Sequence, residues 1–191
     1  MTPAIVLAAG ASVRMGRSKA LLQMGGRTFV RRILDELRSG GIDEIAVVLR
    51  PEHSAEKAEV SAGDGRIIEN PRADEGQLSS LVAGLDALDA PGVESVLVTL
   101  VDVPLIQAST VRVLLDRAGR TPAPIVRVSF RGRHGHPVVF KRQVFNALRA
   151  ADPAVGAKAV LRAFAVEEVD VEDPFVIEDV DTPDDYARLA R

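Results

Sequence analysis

Short apolar runs that alternate with amphipathic stretches constrain the fold of this chain more than any other feature. Residues 4–8, 45–49 and 96–101 are apolar on both strand faces, which predicts buried strands. Helical spacing of apolar residues over 28–38 and 77–88 predicts a helix in each connection. Such alternation predicts an α/β fold, a three-layer sandwich around a mostly parallel, Rossmann-like sheet.

The second half of the sequence continues the pattern with shorter elements. We expect, in order, a helix around 111–118, a hairpin of strands 125–130 and 138–140 around a turn at 131–137, helices at 144–148 and 155–164, strands at 166–171 and 175–180, and a last helix after Thr182. No repeat or long linker divides the chain, so we expect residues 1–191 to form one domain.

Composition excludes several classes of function. The 24 basic and 27 acidic residues are interspersed and only 4% of residues are aromatic, which argues against a nucleic-acid partner. The chain has no cysteine, which excludes thiolate metal sites and a cysteine nucleophile and suits a reducing cytoplasm. No apolar run approaches the roughly 18 residues that span a bilayer, so we expect no membrane partner and a cytoplasmic location.

A glycine-containing loop follows the first predicted strand and carries two basic residues. Gly10 and Gly16 let backbone N–H groups approach an anion closely, while Arg14 and Lys19 supply positive charge. The combination suits a polyphosphate, and the alternative is a flexible turn with solvated bases.

Two common phosphate loops do not match this segment. A Walker A loop has four residues between its glycines and then lysine, whereas here five intervene and Arg17 follows. Ser12 and Met15 stand where the dinucleotide fingerprint has its second and third glycines.

Carboxylates at two places could bind a metal ion. Asp102 follows the third buried strand, where it could hold Mg²⁺ beside phosphate oxygens or could simply form a turn. In the segment 178–185, strand alternation would place Asp179 and Asp181 on one face and Glu178 on the other, so the two aspartates could meet a metal together. Asp184 and Asp185 fall in the first turn of the last helix, where carboxylates favour the helix dipole, so we interpret both as structural.

Two histidines lie in the predicted hairpin turn. His134 and His136 are two residues apart, and the remaining histidine, His53, is distant in sequence, which argues against a zinc site. Contacts with a phosphorylated substrate fit these residues better, with a solvated turn as the alternative. The absence of a Gly-x-Ser-x-Gly motif excludes the α/β-hydrolase interpretation.

Taken together, these segments resemble a known family. The loop 7–19, Leu-Ala-Ala-Gly-Ala-Ser-Val-Arg-Met-Gly-Arg-Ser-Lys, resembles the signature loop of MobA-like nucleotidyltransferases. Segments similar to other motifs of that family follow in order: 70–76, 79–85, 102–104, 135–140 and 179–185. The Gly-His-Pro turn and the closing Asp-Val-Asp-Thr-Pro are most similar to the molybdenum cofactor cytidylyltransferase branch.

The resemblance implies a nucleotide site, a metal site and an acceptor site. The implied nucleotide-binding residues are Leu7, Ala8, Ala9, Gly10, Ser12, Arg14, Lys19, Asn70 and Ser80. Of these, Arg14 and Lys19 would act in catalysis together with Asp102; Asp102 and Asp181 would hold Mg²⁺, and His134 and His136 would contact the acceptor. The departures lie on the acceptor side, where Val103 replaces the branch's usual glutamine and 151–158 is a loosened form of its Gly-Asp-x-Gly-Ala-Arg stretch.

The expected reaction follows from this site. A phosphate of the acceptor, expected to be molybdopterin, would attack the α-phosphorus of a nucleoside triphosphate, expected to be CTP, and pyrophosphate would leave. A molybdoenzyme or its chaperone is a further expected, transient partner. The alternatives are an NAD(P)H-dependent oxidoreductase of a small organic substrate, a sugar-phosphate-type nucleotidyltransferase and a non-catalytic nucleotide-binding regulator.

Overall fold

A seven-stranded sheet and a two-stranded hairpin organise residues 1–189, the part of the chain that the computed structural model describes. The strands are β1 Ala4–Leu7, β2 Gln23–Met24, β3 Arg27–Thr28, β4 Ile45–Leu49, β5 Arg66–Glu69, β6 Ser95–Leu100, β7 Ile125–Phe130, β8 Arg133–Lys141 and β9 Val166–Asp170. The α-helices are α1 Phe29–Ser39, α2 Ser54–Ala62, α3 Gln77–Leu88, α4 Ala108–Arg120, α5 Phe145–Ala150, α6 Lys158–Ala163 and α7 Pro183–Leu189.

The large sheet is mostly parallel, as predicted. Its strand order is β5-β4-β1-β6-β8-β7-β9, and β8 runs antiparallel to both β6 and β7. The neighbouring pairs β5-β4, β4-β1, β1-β6 and β7-β9 are parallel. The central strands β1, β4 and β6 therefore end at one edge of the sheet, where an α/β fold forms its ligand sites.

Helices cover both faces of the sheet and complete the predicted three layers. Alternate residues of β1 belong to opposite cores, Val6 to one and Ile5 to the other. The first core holds the apolar stripes of α1 and α4, and the second holds those of α3 and α5. Strands buried on both faces pack in this way because each face needs an apolar partner.

The hairpin turn is tighter than the sequence pattern predicts. Strand β8 begins at Arg133, so the expected turn 131–137 reduces to Arg131 and Gly132, both with positive φ. Such a two-residue turn matches the right-handed twist of the flanking strands. His134 and His136 therefore lie in a strand rather than in a solvated turn.

The expected strand at 175–180 is wrong. Pro174–Ile177 forms a 3-10 helix whose first turn is capped by Asp173, which accepts a hydrogen bond from the Phe175 amide. Asp173 is buried and also accepts one from the Thr110 hydroxyl. This cap and the proline at the first helical position favour a helical turn over a strand at this point.

The helix predicted at 155–164 begins later, at Lys158. Asp152 organises the preceding turn: its carboxylate accepts from the Ala154 amide and its carbonyl from the Gly156 amide. The positive φ of Gly156 ends that turn before the helix can start.

The last helix begins as predicted after Thr182. The Thr182 hydroxyl accepts from the Asp185 amide, and the Asp185 carboxylate accepts from the Thr182 amide. This reciprocal capping confirms the structural role expected for Asp185.

The periodicity did not predict every element. Helix α2 carries Val60 as its one buried apolar residue, and the short strand β5 at the sheet edge is only partly buried. These elements bury few apolar side chains, so their sequences show no clear apolar pattern. Contacts with the rest of the fold hold them in place. Within residues 1–189, no helix is long and apolar enough to cross a membrane.

Candidate active site

A cleft of about 350 Å³ opens at the carboxyl ends of β1 and β6 and is called the first cleft. It is lined by Leu7, Ala8, Ala9, Gly10, Ala11, Ser12, Val13, Arg14, Ser18, Lys19, Ala20, Arg50, Ala73, Gly76, Gln77, Ser80, Leu100, Val101, Asp102 and Asp181. The structure thus brings the glycine-containing loop, Ser80 and the two expected metal ligands into one cleft. It lies where the strand-edge rule places ligand sites.

Local hydrogen bonds shape the loop that forms one wall. Ser12 has a positive φ, its carbonyl accepts from the Met15 and Gly16 amides, and its hydroxyl accepts from the Lys19 amide. The buried Met15 side chain anchors the loop from below. The loop is therefore a tight turn with an internal tether, and this tether holds Lys19 at the cleft.

Lys19 joins the two carboxylates that were expected to bind a metal. Its Nζ lies 3.0 Å from Asp102 Oδ2 and 2.5 Å from Asp181 Oδ1. Arg14 adds a contact of 2.8 Å to Asp181 Oδ2. Although 79 residues separate the two aspartates in sequence, the Val180 amide donates to the Asp102 carbonyl and docks the closing segment beside β6.

The charges of this cluster perturb one another. Burial opposes ionisation of Lys19, but hydrogen bonds to Asp181 and Asp102 outweigh it and raise the lysine pKa. The hydrogen bond from Lys19 in turn lowers the pKa of Asp181. Burial, with the negative charges of Asp102 and Asp181, raises the pKa of Asp179. The site therefore concentrates three acids around one ammonium group.

Asp102 and Asp181 fit a divalent cation. Both lie within reach of one ammonium group, and Asp102 Oδ1 is buried with no hydrogen-bond partner among the described residues. Residues 1–189 contain no cluster of three or more His, Cys, Asp or Glu side chains arranged to hold a metal. Two carboxylates suit Mg²⁺, which takes its other ligands from phosphates and water.

Asn70 lies behind the cleft wall rather than in it. Its side chain is buried and its amide donates to the hydroxyls of Ser79 and Ser80, at 2.9 and 3.0 Å. The Asn70 side-chain carbonyl accepts from the Arg72 amide. In this structure Asn70 therefore positions Ser80, which does line the cleft, and makes no surface for a nucleotide itself.

The two histidines line a separate cavity of about 390 Å³, called the second cleft. Its walls come from α3, from β6 to β8, and from residues 153–161. Leu7, Gln77 and Leu100 line both clefts, so the two adjoin. A ligand in one can therefore approach a ligand in the other.

Polar groups of the second cleft form a small network. Glu168 lies 2.8 Å from the Arg127 guanidinium and 3.1 Å from His134 Nδ1. Burial lowers the pKa of His136, against a backbone hydrogen bond with Val98, so this ring is neutral near pH 7. The cationic groups beside the cleft are thus Arg127 and Lys158.

The sequence interpretation missed five polar residues of the two clefts: Ser18, Arg50, Gln77, Arg127 and Lys158. Ser18 lies within the signature loop 7–19 and Lys158 ends the loosened 151–158 stretch, whereas Arg50, Gln77 and Arg127 belong to none of the motifs identified in the sequence. Two adjoin features the sequence does show, since Arg50 follows the buried strand β4 and Gln77 begins α3. Polar residues at the carboxyl ends of predicted strands are the signal that could have found Arg50.

This combination of a mostly parallel α/β sandwich, a basic glycine-containing loop and two facing aspartates defines a protein of the nucleotidyltransferase class. A family model, the MobA-like NTP transferase domain, matches residues 4–170. The chain therefore belongs to this family of nucleotidyltransferases.

The chain is similar to one relative over nearly its whole length and to another over about half of it. It is 34% identical to nicotine blue oxidoreductase of Paenarthrobacter nicotinovorans, over 97% of this chain and 94% of that protein. It is 36% identical to a probable molybdenum cofactor guanylyltransferase of Opitutus terrae, over 54% of this chain and 49% of that protein.

A solved structure, Rv0371c of Mycobacterium tuberculosis, superposes with a TM-score of 0.84 at 30% identity and covers 100% of this chain and 98% of its own. A second structure of Rv0371c is a complex with manganese; it has a TM-score of 0.78 at 28% identity and covers 99% of this chain and 97% of its own.

Proposed function

We propose that this protein transfers a nucleotidyl group from CTP, bound in the first cleft, to a phosphorylated acceptor of the molybdopterin type, bound in the second. The adjoining clefts carry the proposal, because group transfer requires both substrates to meet at one point. Leu7, Gln77 and Leu100 form that shared boundary, and Asp102, two residues after Leu100, lines the first cleft together with Lys19. The choice of CTP and molybdopterin rests on the motif resemblance of residues 135–140 and 179–185.

The chemistry needs no protein nucleophile. An oxygen of the acceptor phosphate forms a bond to the α-phosphorus, the bond to the bridging oxygen breaks, and pyrophosphate leaves with the electron pair. The chain must orient both phosphates and stabilise the developing negative charge. Arg14 and Lys19 both line the first cleft, and in this proposal their charges would meet the leaving pyrophosphate.

A divalent cation fits Asp102 and Asp181 in this proposal. When bound, it would neutralise phosphate charge and polarise the α-phosphate. Lys19 contacts both carboxylates, and its flexible stem would let the ammonium group turn toward the triphosphate.

Lys158 is the exposed cation of the second cleft and suits the acceptor phosphate. Lys158→Ala should raise KM for the acceptor about tenfold, since a charge-assisted contact is worth roughly 1.5–3 kcal/mol in place and less when exposed. Arg162→Ala, one turn further along the same helix and outside the cleft, is the matched control. Equal effects of the two substitutions would contradict the placement of the acceptor.

Pyrophosphate release tests the function directly. Purified protein is assayed with CTP, GTP, ATP or UTP, each with molybdopterin and Mg²⁺. We expect release with CTP, loss of release with EDTA, and recovery when Mg²⁺ is added in excess. Absence of release with every triphosphate would refute nucleotidyl transfer to this acceptor, whereas release with GTP instead of CTP would refute only the base assignment.

A second candidate function is NAD(P)H-dependent reduction of a small organic substrate. It is favoured by the 34% identity to nicotine blue oxidoreductase over nearly the whole of both chains. The apolar walls of the second cleft would suit a planar organic molecule. Oxidation of NADH or NADPH with a quinone-like dye, followed by absorbance without nucleoside triphosphate or added metal, would support this candidate over transfer.

A further inference from the structure

Arg50 connects the two walls of the first cleft. It is the first residue after β4, and its side chain is only 15% exposed although it reaches the cleft. Its Nε donates to the Ala9 carbonyl at 2.8 Å, and its Nη2 donates to Asp74 Oδ1 at 2.7 Å. A single guanidinium thereby joins the loop after β1 to the segment before α3.

Among the described residues, backbone hydrogen bonds anchor the bases of the two segments to β4, and the Ser79 hydroxyl holds the Arg72 and Gly76 carbonyls within the second wall. The Ala8 amide donates to the Val48 carbonyl, one residue before the Ala9 carbonyl that Arg50 holds. On the opposite wall, the Asn70 amide donates to the Leu49 carbonyl. Asp74 lies further along that wall, and its side chain is 86% exposed. Arg50 therefore bridges the walls beyond the sheet itself.

The guanidinium is suited to this bridge. Its donors have a fixed planar arrangement, so two acceptors in different directions can be held at once, whereas an ammonium group is a compact point charge on a flexible stem. Hydrogen bonds with Asp74 raise the pKa of Arg50, which keeps its charge at every relevant pH. Gly10 follows Ala9, and Ala73 and Gly76 flank Asp74, so the walls joined by Arg50 are those that face the cavity.

We propose that Arg50 is a positioning residue for the nucleoside: it fixes the Ala9 peptide and the separation between residues 8–10 and 73–76, between which the base and ribose lie. The inference rests on the proposed function, since it takes the nucleotide to occupy the first cleft. When the walls of the cleft are already held apart at the right distance, no free energy is spent on ordering them as the ligand binds, and the affinity is higher for that reason. In this role Arg50 acts through the two walls rather than through contact with the triphosphate.

The test measures binding of CTP and of cytidine, without acceptor, by calorimetric titration of the full-length protein. Arg50→Ala should weaken both ligands by the same factor, about tenfold or more. Asp74→Asn should weaken both by about two- to threefold, and the effect should fade in high salt because Asp74 is exposed. In turnover, KM for CTP should rise while kcat changes little.

Two controls separate positioning from other roles. Arg66→Ala removes an arginine of β5 that pairs with Glu44 away from the cleft and should leave binding unchanged. Arg50→Lys keeps the charge and the fold but cannot hold both partners, so it should bind more weakly than wild type. If the urea unfolding midpoint of Arg50→Ala shows that this variant does not fold, Arg50→Lys still tests the proposal.

Three results overturn the inference in distinguishable ways. If wild-type protein binds CTP and Arg50→Ala or Arg50→Lys binds it equally well, the positioning role alone is refuted. A loss confined to CTP, with cytidine unaffected, would make Arg50 a phosphate ligand instead. If the wild type binds no nucleoside triphosphate, the proposed transfer function fails and this role fails with it.

Discussion

Replacement of Lys19 by methionine tests the arrangement at the centre of the first cleft. The substitution keeps the length of the side chain and removes the ammonium group that lies between Asp102 and Asp181. The lysine side chain is 12% exposed, whereas those of the two aspartates are 22% and 31% exposed. The cluster is therefore only partly desolvated, and water screens part of the lost interaction.

The expected loss of stability follows from these contacts. A buried hydrogen bond to a charged group contributes roughly 1.5–3 kcal/mol to the free energy of unfolding. Because the cluster is partly exposed, we expect the two hydrogen bonds of Lys19 to contribute about 2 kcal/mol together. For a chain of this length, about 2 kcal/mol corresponds to a decrease in Tm of about 4–8 °C. Differential scanning calorimetry at pH 7.5 and low salt measures it directly. Lys158→Met, which removes an exposed lysine, should change Tm by about 1 °C or less.

The difference between wild type and Lys19→Met should depend on pH in a defined direction. The pKa of Asp181 is lowered in the folded state, so its contribution is present above the unfolded value of about 3.9 and is lost as the pH falls. The pKa of Lys19 is raised, so its contribution is present below about 10.4 and is lost as the pH rises further. The difference should therefore be largest between about pH 5 and pH 9.

Added Mg²⁺ gives a second measurement on the same variant. Without the ammonium group, a divalent cation is the natural partner of the two carboxylates and should raise Tm more in Lys19→Met than in wild type. If Lys19→Met unfolds at the wild-type temperature at both pH 7.5 and pH 4, and Mg²⁺ affects the two proteins equally, Lys19 does not join these carboxylates.

Other substitutions test the acid cluster and the packing of the closing segment. Asp102→Asn should reduce metal-dependent pyrophosphate release by about 10²–10³-fold with the fold retained. Asp185→Asn should weaken a helix cap worth about 1 kcal/mol, which lowers Tm and leaves kcat unchanged. A loss of kcat in Asp185→Asn and a loss of Tm alone in Asp102→Asn would contradict these assignments. Gly135→Ala should destabilise the protein by about 1–3 kcal/mol or more, because its Cβ would clash with the Val176 carbonyl oxygen. The Cβ of Gly119→Ala meets nothing within 4 Å, so this variant should not lower Tm. Equal Tm values for the two glycine variants would contradict this packing.

The sequence alone determined the layered architecture and the position of the glycine-containing loop. Runs such as 4–8 and 45–49 are apolar on both faces, and only a sheet covered on both sides buries them. The stripe of α1 and the reciprocal cap of Thr182 and Asp185 are likewise local, because their interactions span a few residues. Periodicity and capping report such features because both depend on neighbours in sequence.

Tertiary structure decided how the pieces of the site meet. Asp181 reaches Asp102 through an irregular segment that buried Asp173 organises, not through a strand, and no local pattern encodes that contact. The same is true of Arg50, whose partners lie 41 and 24 residues away along the chain. Contacts between distant residues depend on the packing of the whole sheet, so residue types and spacing alone do not determine them.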